Sequence, residues 1–232
     1  MMPNYSKRIW ELDLLKGIAL ILMIYFHIVY DLDVIFQYEV DSSSLLNDLT
    51  AKASGSLFLF AAGVSSYLTH NNLKRAMKVL GIAMLITVLT YLYDPGMVVT
   101  FGILHLLGTS ILLALLFRHL QPFVLILLGA VVILGAPMLT GLPLPHHWLL
   151  FPLGIAPETA ISSDYYPLIP WFGVFLLGNG VGKWFYKEKR SLFKQNPSEN
   201  LVSLAGRHTL VIYLIHQPLI IGVLSLIKIV TE

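Results

Sequence analysis

The sequence predicts an all-α, polytopic membrane helix bundle of about seven transmembrane helices, with the amino terminus cytoplasmic and the carboxyl terminus outside. Three observations predict it. Apolar residues make up 56% of the chain and charged residues 12%, and mean hydropathy is +0.76, which leaves too little charge for a water-facing surface. Several stretches approach the ~20 apolar residues that a spanning helix needs. Basic residues collect on alternate connections, as cytoplasmic loops do.

The first apolar stretch runs from Leu12 to Tyr30. It is longer than a signal-peptide core, opens with embedded charges and has no small-x-small cleavage site, so it is expected to remain as a helix. Further stretches run from Thr50 to Leu68, Lys74 to Tyr93, Val99 to Phe117, Pro122 to Leu139, Leu168 to Tyr186 and His208 to Ile227. The breaks between them are polar or carry proline and glycine, as at Asp94-Pro95-Gly96 and Lys187 to Asn200. Residues 1–232 read as a single transmembrane domain. With the amino terminus inside, Lys7, Arg8, Lys74, Arg75, Lys78, Arg118, Lys183, Lys187, Lys189, Arg190, Lys194 and Arg207 share the cytoplasmic side, while only Lys52 and Lys228 of the basic residues lie opposite, with Asp31, Asp33, Glu39, Asp41, Asp48, Asp94, Glu158 and Asp164.

The chain has no cysteine, so disulfides, thiolate metal sites and a cysteine nucleophile are excluded. A net charge of +2 gives no reason to expect a nucleic-acid partner. The external segment Gly141 to Tyr166 is rich in proline and aromatics and reads as a lid or re-entrant piece, or as an aromatic belt at the interface. His146-His147 within it reads as interfacial.

Ionisable groups inside spans are rare, because each costs roughly 2.5 to 3.5 kcal/mol at the bilayer centre. The first span carries Asp13, Lys16 and His27, with Asp31 just past its end. Asp13, Lys16, Leu20, Met23, His27 and Asp31 follow one another at steps of three and four, which makes one continuous stripe. Lys16 and His27, eleven residues apart, share a face about 16 Å apart along the axis. Such a stripe suits a long ligand with its anionic head near Lys16 and its reacting end near His27; the plainer reading is two interfacial pairs, Asp13 with Lys16 and His27 with Asp31. His27 and Asp31 have the spacing at which a carboxylate fixes an imidazole tautomer for general base catalysis.

His105, between Gly102 and Gly108, and His216, before Gln217-Pro218, lie within later spans. Each is a candidate for function or for an ordinary interhelical hydrogen bond. On the cytoplasmic side Gly178-Asn179-Gly180-Val181-Gly182-Lys183 and Gly206-Arg207-His208-Thr209 offer glycine amides and cations suited to phosphate, or alternatively a packing seam and topogenic charge. The histidine spacing forms no metal motif.

Asp13-Leu14-Leu15-Lys16-Gly17 with Phe26-His27, Phe101-Gly102-Ile103-Leu104-His105, Pro170-Trp171-Phe172-Gly173, and Gly206-Arg207-His208-Thr209 with Tyr213-Leu214-Ile215-His216-Gln217-Pro218 together resemble a prokaryotic membrane family. That family is related to the catalytic domain of heparan-alpha-glucosaminide N-acetyltransferase, and the resemblance spans most of the chain. The chain departs from the lysosomal enzyme's pattern at His27, where that enzyme has asparagine, and in Asp31 to Thr50, which holds no histidine. The resemblance implies a multi-pass protein of the plasma membrane that moves an acetyl group from cytoplasmic acetyl-CoA to an acceptor across the bilayer. Joined to the stripe, it predicts His27, Asp31, His105 and Gln217 as catalytic, with His105 or Gln217 as oxyanion donors. Asp13, Lys16, Gly178, Gly180, Lys183, Arg207, His208 and His216 are then expected around acetyl-CoA, which serves as acyl donor, with no metal. The acceptor would be an amine or hydroxyl of a glycan, a lipid-linked molecule or a small molecule. Membrane lipids surround the bundle, and the glycine seams make a homodimer reasonable. A proton-coupled transporter or flippase using the intramembrane His and Asp groups is the competing reading.

Overall fold

A computed structural model describes residues 8–140, 147–157, 159–193 and 200–231. Lys7, His146, Glu158 and Lys194 lie outside them, as does the start of the external segment. The described residues form eight α-helices and no strand: α1 (Trp10–Tyr30), α2 (Leu45–Leu68), α3 (Asn72–Tyr93), α4 (Ile103–Leu113), α5 (Pro122–Thr140), α6 (Leu168–Phe185), α7 (Leu201–Arg207) and α8 (Thr209–Thr231). The chain divides into two compact units, one built from residues before 59 and after 188, the other from Leu59–Glu188. Helix α2 contributes to both.

Among the described residues three segments are long and apolar enough to cross a membrane: Trp10–Ile35, Asn72–Tyr93 and Thr209–Thr231. The expected span from Val99 to Phe117 is helical only over Ile103–Leu113. Eleven residues rise about 16 Å, well short of a ~30 Å hydrocarbon core. Its start is set late by the Gly102 cap. Past Leu113 the chain tightens into i→i+3 bonds at Leu115, Leu116 and Phe117.

In the first unit α1 continues into a π-helical turn, Asp31–Ile35. The predicted stripe is the buried side of α1, since Asp13, Leu20, Met23 and Asp31 are all buried. Helix α7 lies across the start of α1 at glycine distance: a Cβ on Gly206 would strike the Asp13 carbonyl, and one on Gly17 would strike the Val202 carbonyl. Ser54 of α2 donates to the Ala19 carbonyl at 2.9 Å. Because the α1 backbone is already helical there, the hydroxyl adds a bond without disturbing it.

In the second unit α5 and α6 cross where Gly129 and Gly173 face each other, each leaving no room for a side chain on the other. Gly63 and Gly178 do the same for α2 and α6, and Asn179 donates to the Gly63 carbonyl. Small residues allow this approach, and van der Waals contact then replaces the hydrophobic drive that lipid removes. Residues 161–166 pack against the chain leading into α4. Residues 98–101 run beside 161–166 through Ser163 N–H to Val98 O and Tyr166 N–H to Phe101 O. Phe151 stacks on Tyr165 at 4.6 Å and accepts the Tyr165 hydroxyl on its carbonyl.

Candidate active site

Most of the predicted polar residues fall in the first unit, along α1, α7 and α8. At the amino end of α1, Asp13 is 5% exposed. Its Oδ2 lies 2.7 Å from Arg8 Nε and 3.7 Å from Arg207 Nε. Arg207 closes α7 rather than opening α8, His208 caps α7 through its N–H to the Ala205 carbonyl, and α8 begins at Thr209. The Arg207 guanidinium is therefore aimed by Asp13, not by a helix amino terminus. Lys16 follows Asp13 by three residues on the same stripe.

At the other end of α1, the Gln217 amide nitrogen donates to both oxygens of Asp31, at 2.7 and 2.9 Å. Asp31 has no exposed surface. Among the described residues no hydrogen bond or ion pair joins His27 to Asp31, contrary to the i,i+4 expectation. The backbone from His27 to Asp31 stays α-helical, with the Asp31 N–H on the His27 carbonyl, but the carboxylate is taken by Gln217 of α8. The His27 ring instead sits 4.9 Å from the His216 ring, between centroids. His216 is 7% exposed and its Nδ1 bonds the Tyr213 carbonyl. A carbonyl only accepts, so the ring carries its proton on Nδ1 and keeps the Nε2 lone pair. Among the described residues His216 Nε2, His27 Nδ1 and Gln217 Oε1 are buried without a hydrogen-bond partner. Buried polar atoms are nearly always paired, so three orphaned atoms on neighbouring side chains call for an explanation, a catalytic role being one.

His105 belongs to the second unit and has another office. Its Nδ1 accepts the Gly102 N–H at 3.2 Å, and its Nε2 lies 3.1 Å from Thr87 Oγ1, which donates to the Val99 carbonyl at 2.6 Å. Nδ1 caps α4 and Nε2 ties the ring to α3, so both ring nitrogens are engaged and neither is left for an oxyanion. Gln217 is likewise spent as a donor on Asp31. The glycines proposed to cradle phosphate, Gly178 and Gly180, lie inside α6. Interior helical amides bond their own helix, and a Cβ at Gly178 would strike Phe60 backbone while one at Gly180 would meet Pro122 and Ile126. They are packing residues. Lys183 donates to the Arg118 and Leu120 carbonyls at 2.7 and 2.9 Å, closing the turn after α4.

Beside His105, Asp164 Oδ2 accepts the Ile103 N–H at 3.0 Å. Gly102 makes room for that carboxyl, since a Cβ there would collide with it. Burial pushes the Asp164 pKa up to about 6, partly opposed by the Ile103 N–H. Burial, and then the Asp164 charge, push the Tyr166 phenol up as well. Asp164 was legible only as an external acid, because the cap it makes lies 61 residues away in sequence. Among the described residues no group of three or more His, Asp or Glu side chains is placed to hold a metal.

The model of the family described as heparan-alpha-glucosaminide N-acetyltransferase, catalytic, matches residues 8–218. The chain belongs to this family. No curated protein and no solved structure matches it. Membership in the heparan-alpha-glucosaminide N-acetyltransferase catalytic family makes it an acetyltransferase, and with three membrane-length apolar helices it is an integral membrane protein. The match begins at Arg8 and ends at Pro218, one residue beyond Gln217, so it takes in every side chain of the α1, α7 and α8 cluster. Sequence reasoning missed the His27 and His216 contact. Both histidines were recognisable as intramembrane, but their pairing depends on the register of α8 against α1.

Proposed function

We propose that this member of the family transfers acetyl groups from cytoplasmic acetyl-CoA to an amine or hydroxyl presented on the far side of the membrane, with an envelope glycan as the favoured acceptor class. One observation carries the reading: a single buried face of α1 joins a cationic end, where Asp13 orients Arg8 and Arg207 near Lys16, to an imidazole end at His27 and His216. The separation of about 16 Å along the axis suits a long donor lying with its phosphates at one end and its thioester at the other. Lys16, Arg207 and the exposed His208 would meet the phosphates. His27 would take the proton of the attacking amine or hydroxyl, a form of general base catalysis worth about 10²- to 10⁴-fold. Direct transfer needs no covalent enzyme intermediate.

The experiment is acetyl transfer by purified protein from labelled acetyl-CoA to amine and hydroxyl acceptors, alongside His27→Ala. Wild-type transfer with His27→Ala reduced at least 100-fold supports the reading. Full activity in His27→Ala removes the catalytic assignment. Proton-coupled flux of an unmodified solute, with no thermal stabilisation by acetyl-CoA or CoA, would replace the acetyltransferase with a transporter.

A further inference from the structure

We propose that His216 is the positioning partner of His27, holding it as the Nδ1–H tautomer so that Nε2 faces the acceptor. The proposal rests on the acetyltransferase reading for its chemistry, though the pairing itself does not. Sequence spacing gave this task to Asp31, but the Gln217 amide occupies both Asp31 oxygens. Two cross-helix contacts then lie one turn apart on α1: Asp31 with Gln217, and His27 with His216. The first sets the register of α8 that brings the second about.

The proton bookkeeping identifies donor and acceptor. The Tyr213 carbonyl fixes the His216 proton on Nδ1, so His216 Nε2 can only accept. It is buried with no partner, on a ring 4.9 Å from a ring whose own buried Nδ1 has no partner. Proline also contributes. Pro218 withholds the N–H that the Leu214 carbonyl would receive in a regular helix, which loosens the turn from which the neighbouring Tyr213 carbonyl accepts His216. A side-chain bond from His27 Nδ1–H to His216 Nε2 satisfies both orphaned atoms at once and leaves His27 Nε2 as the base.

In the reaction the acceptor's N–H or O–H bond breaks as its heteroatom attacks the thioester carbonyl carbon, and the proton moves to His27 Nε2. The new C–N or C–O bond forms, the C–S bond breaks, and the departing thiolate recovers that proton to leave as CoA thiol. His216 keeps its own proton throughout. It stabilises the His27 imidazolium through the Nδ1–H bond, as the orienting member of a catalytic triad does.

The titratable groups near His27 are Tyr30, Asp31 and Asp33 on its own helix and π-turn, and Tyr213 and His216 on α8. Asp33 is held by Ser42, and Asp48 of α2 pairs with Lys52, while Asp13 with Arg8 and Arg207 stands at the opposite end of α1. None of these replaces His216 as an acceptor for Nδ1–H.

The test uses full-length protein with histidine side chains labelled with ¹⁵N, His27→Ala to assign the resonance, and the variants His216→Leu and His216→Gln. Wild type is expected to show His27 protonated at Nδ1, and His216→Leu to lose that tautomer preference. In the transfer assay His216→Leu should lower kcat at least 30-fold with the acetyl-CoA KM within twofold. His216→Gln, which restores an acceptor oxygen, should recover tenfold or more, and the acidic limb of the pH–rate profile should move in His216→Leu alone. A His27 tautomer unchanged by His216→Leu overturns the proposal, as does wild-type kcat in that variant beside an inactive His27→Ala. Absence of acetyl transfer by wild type would overturn the acetyltransferase reading instead, and the tautomer measurement would still decide the pairing.

Discussion

Gln217 and Asp31, 186 residues apart in sequence, form a side-chain pair in which one amide nitrogen serves both carboxylate oxygens. A hydrogen bond to a charged group contributes about 1.5 to 3 kcal/mol, and a buried carboxylate stripped of its donor loses more than the bond itself. Gln217→Leu is expected to lower thermal stability by at least that amount, measured in detergent. Asp31→Leu combined with Gln217→Leu should lose less than the sum of the two single changes, because neither partner is then left buried and unpaired.

The α1 and α7 crossing makes a second prediction. Gly206→Ala should cost about 1 to 3 kcal/mol, because the new methyl meets backbone that has nowhere to move. Gly81→Ala and Gly222→Ala are the controls: nothing lies within 4 Å of a Cβ at either position. In a helix interior those changes should stabilise by about 0.5 to 1 kcal/mol. Melting curves of the three variants decide it.

Asp164 predicts a pH dependence. Its folded pKa of about 6 exceeds the ordinary 3.8, so the folded protein binds the proton more tightly than the unfolded chain does. The stability it contributes is complete below 3.8 and is lost as pH rises through 6. Wild-type melting temperature, compared with Asp164→Asn, should fall between pH 4 and pH 6.5 and run parallel above it. A difference that is flat across this range would remove the assignment.

Lys183 and Arg207 separate packing from ligand binding. Lys183→Met loses the cap on the Arg118 and Leu120 carbonyls and should cost about 1 kcal/mol of stability, with the acetyl-CoA KM unchanged. Arg207→Ala, under the proposed function, should raise that KM about tenfold, equivalent to about 1.4 kcal/mol, with kcat held. Steady-state kinetics with melting curves distinguishes them.

The sequence made the buried stripe of α1 legible because helical period and the rarity of intramembrane charge are both local properties. Leu20, Met23, Asp13 and Asp31 are buried as the spacing requires. What it could not convey was partnership. Asp31 is four residues from His27 yet bonds a residue from the last helix, and Arg207 reads as the opening of a span but closes a separate short helix. The glycine run at Gly178 and Gly180 fits a phosphate loop and a packing seam equally well by composition, and only the neighbouring Phe60 and Pro122 backbones decide between them. His105 is similar, since its ring partners are the Gly102 N–H and the Thr87 hydroxyl and Asp164 caps the next residue along the helix start, Ile103.

The distance between Asp31 and Gln217 along the chain also sets a timetable for biogenesis. At about 5 to 20 residues per second, a ribosome needs on the order of 10 to 40 s to pass from one to the other. Throughout that interval the first helix holds its aspartates and imidazole with no α7 or α8 to receive them. A polar first helix therefore waits for its partners, and the centre shared by α1, α7 and α8 closes only once α8 has been made.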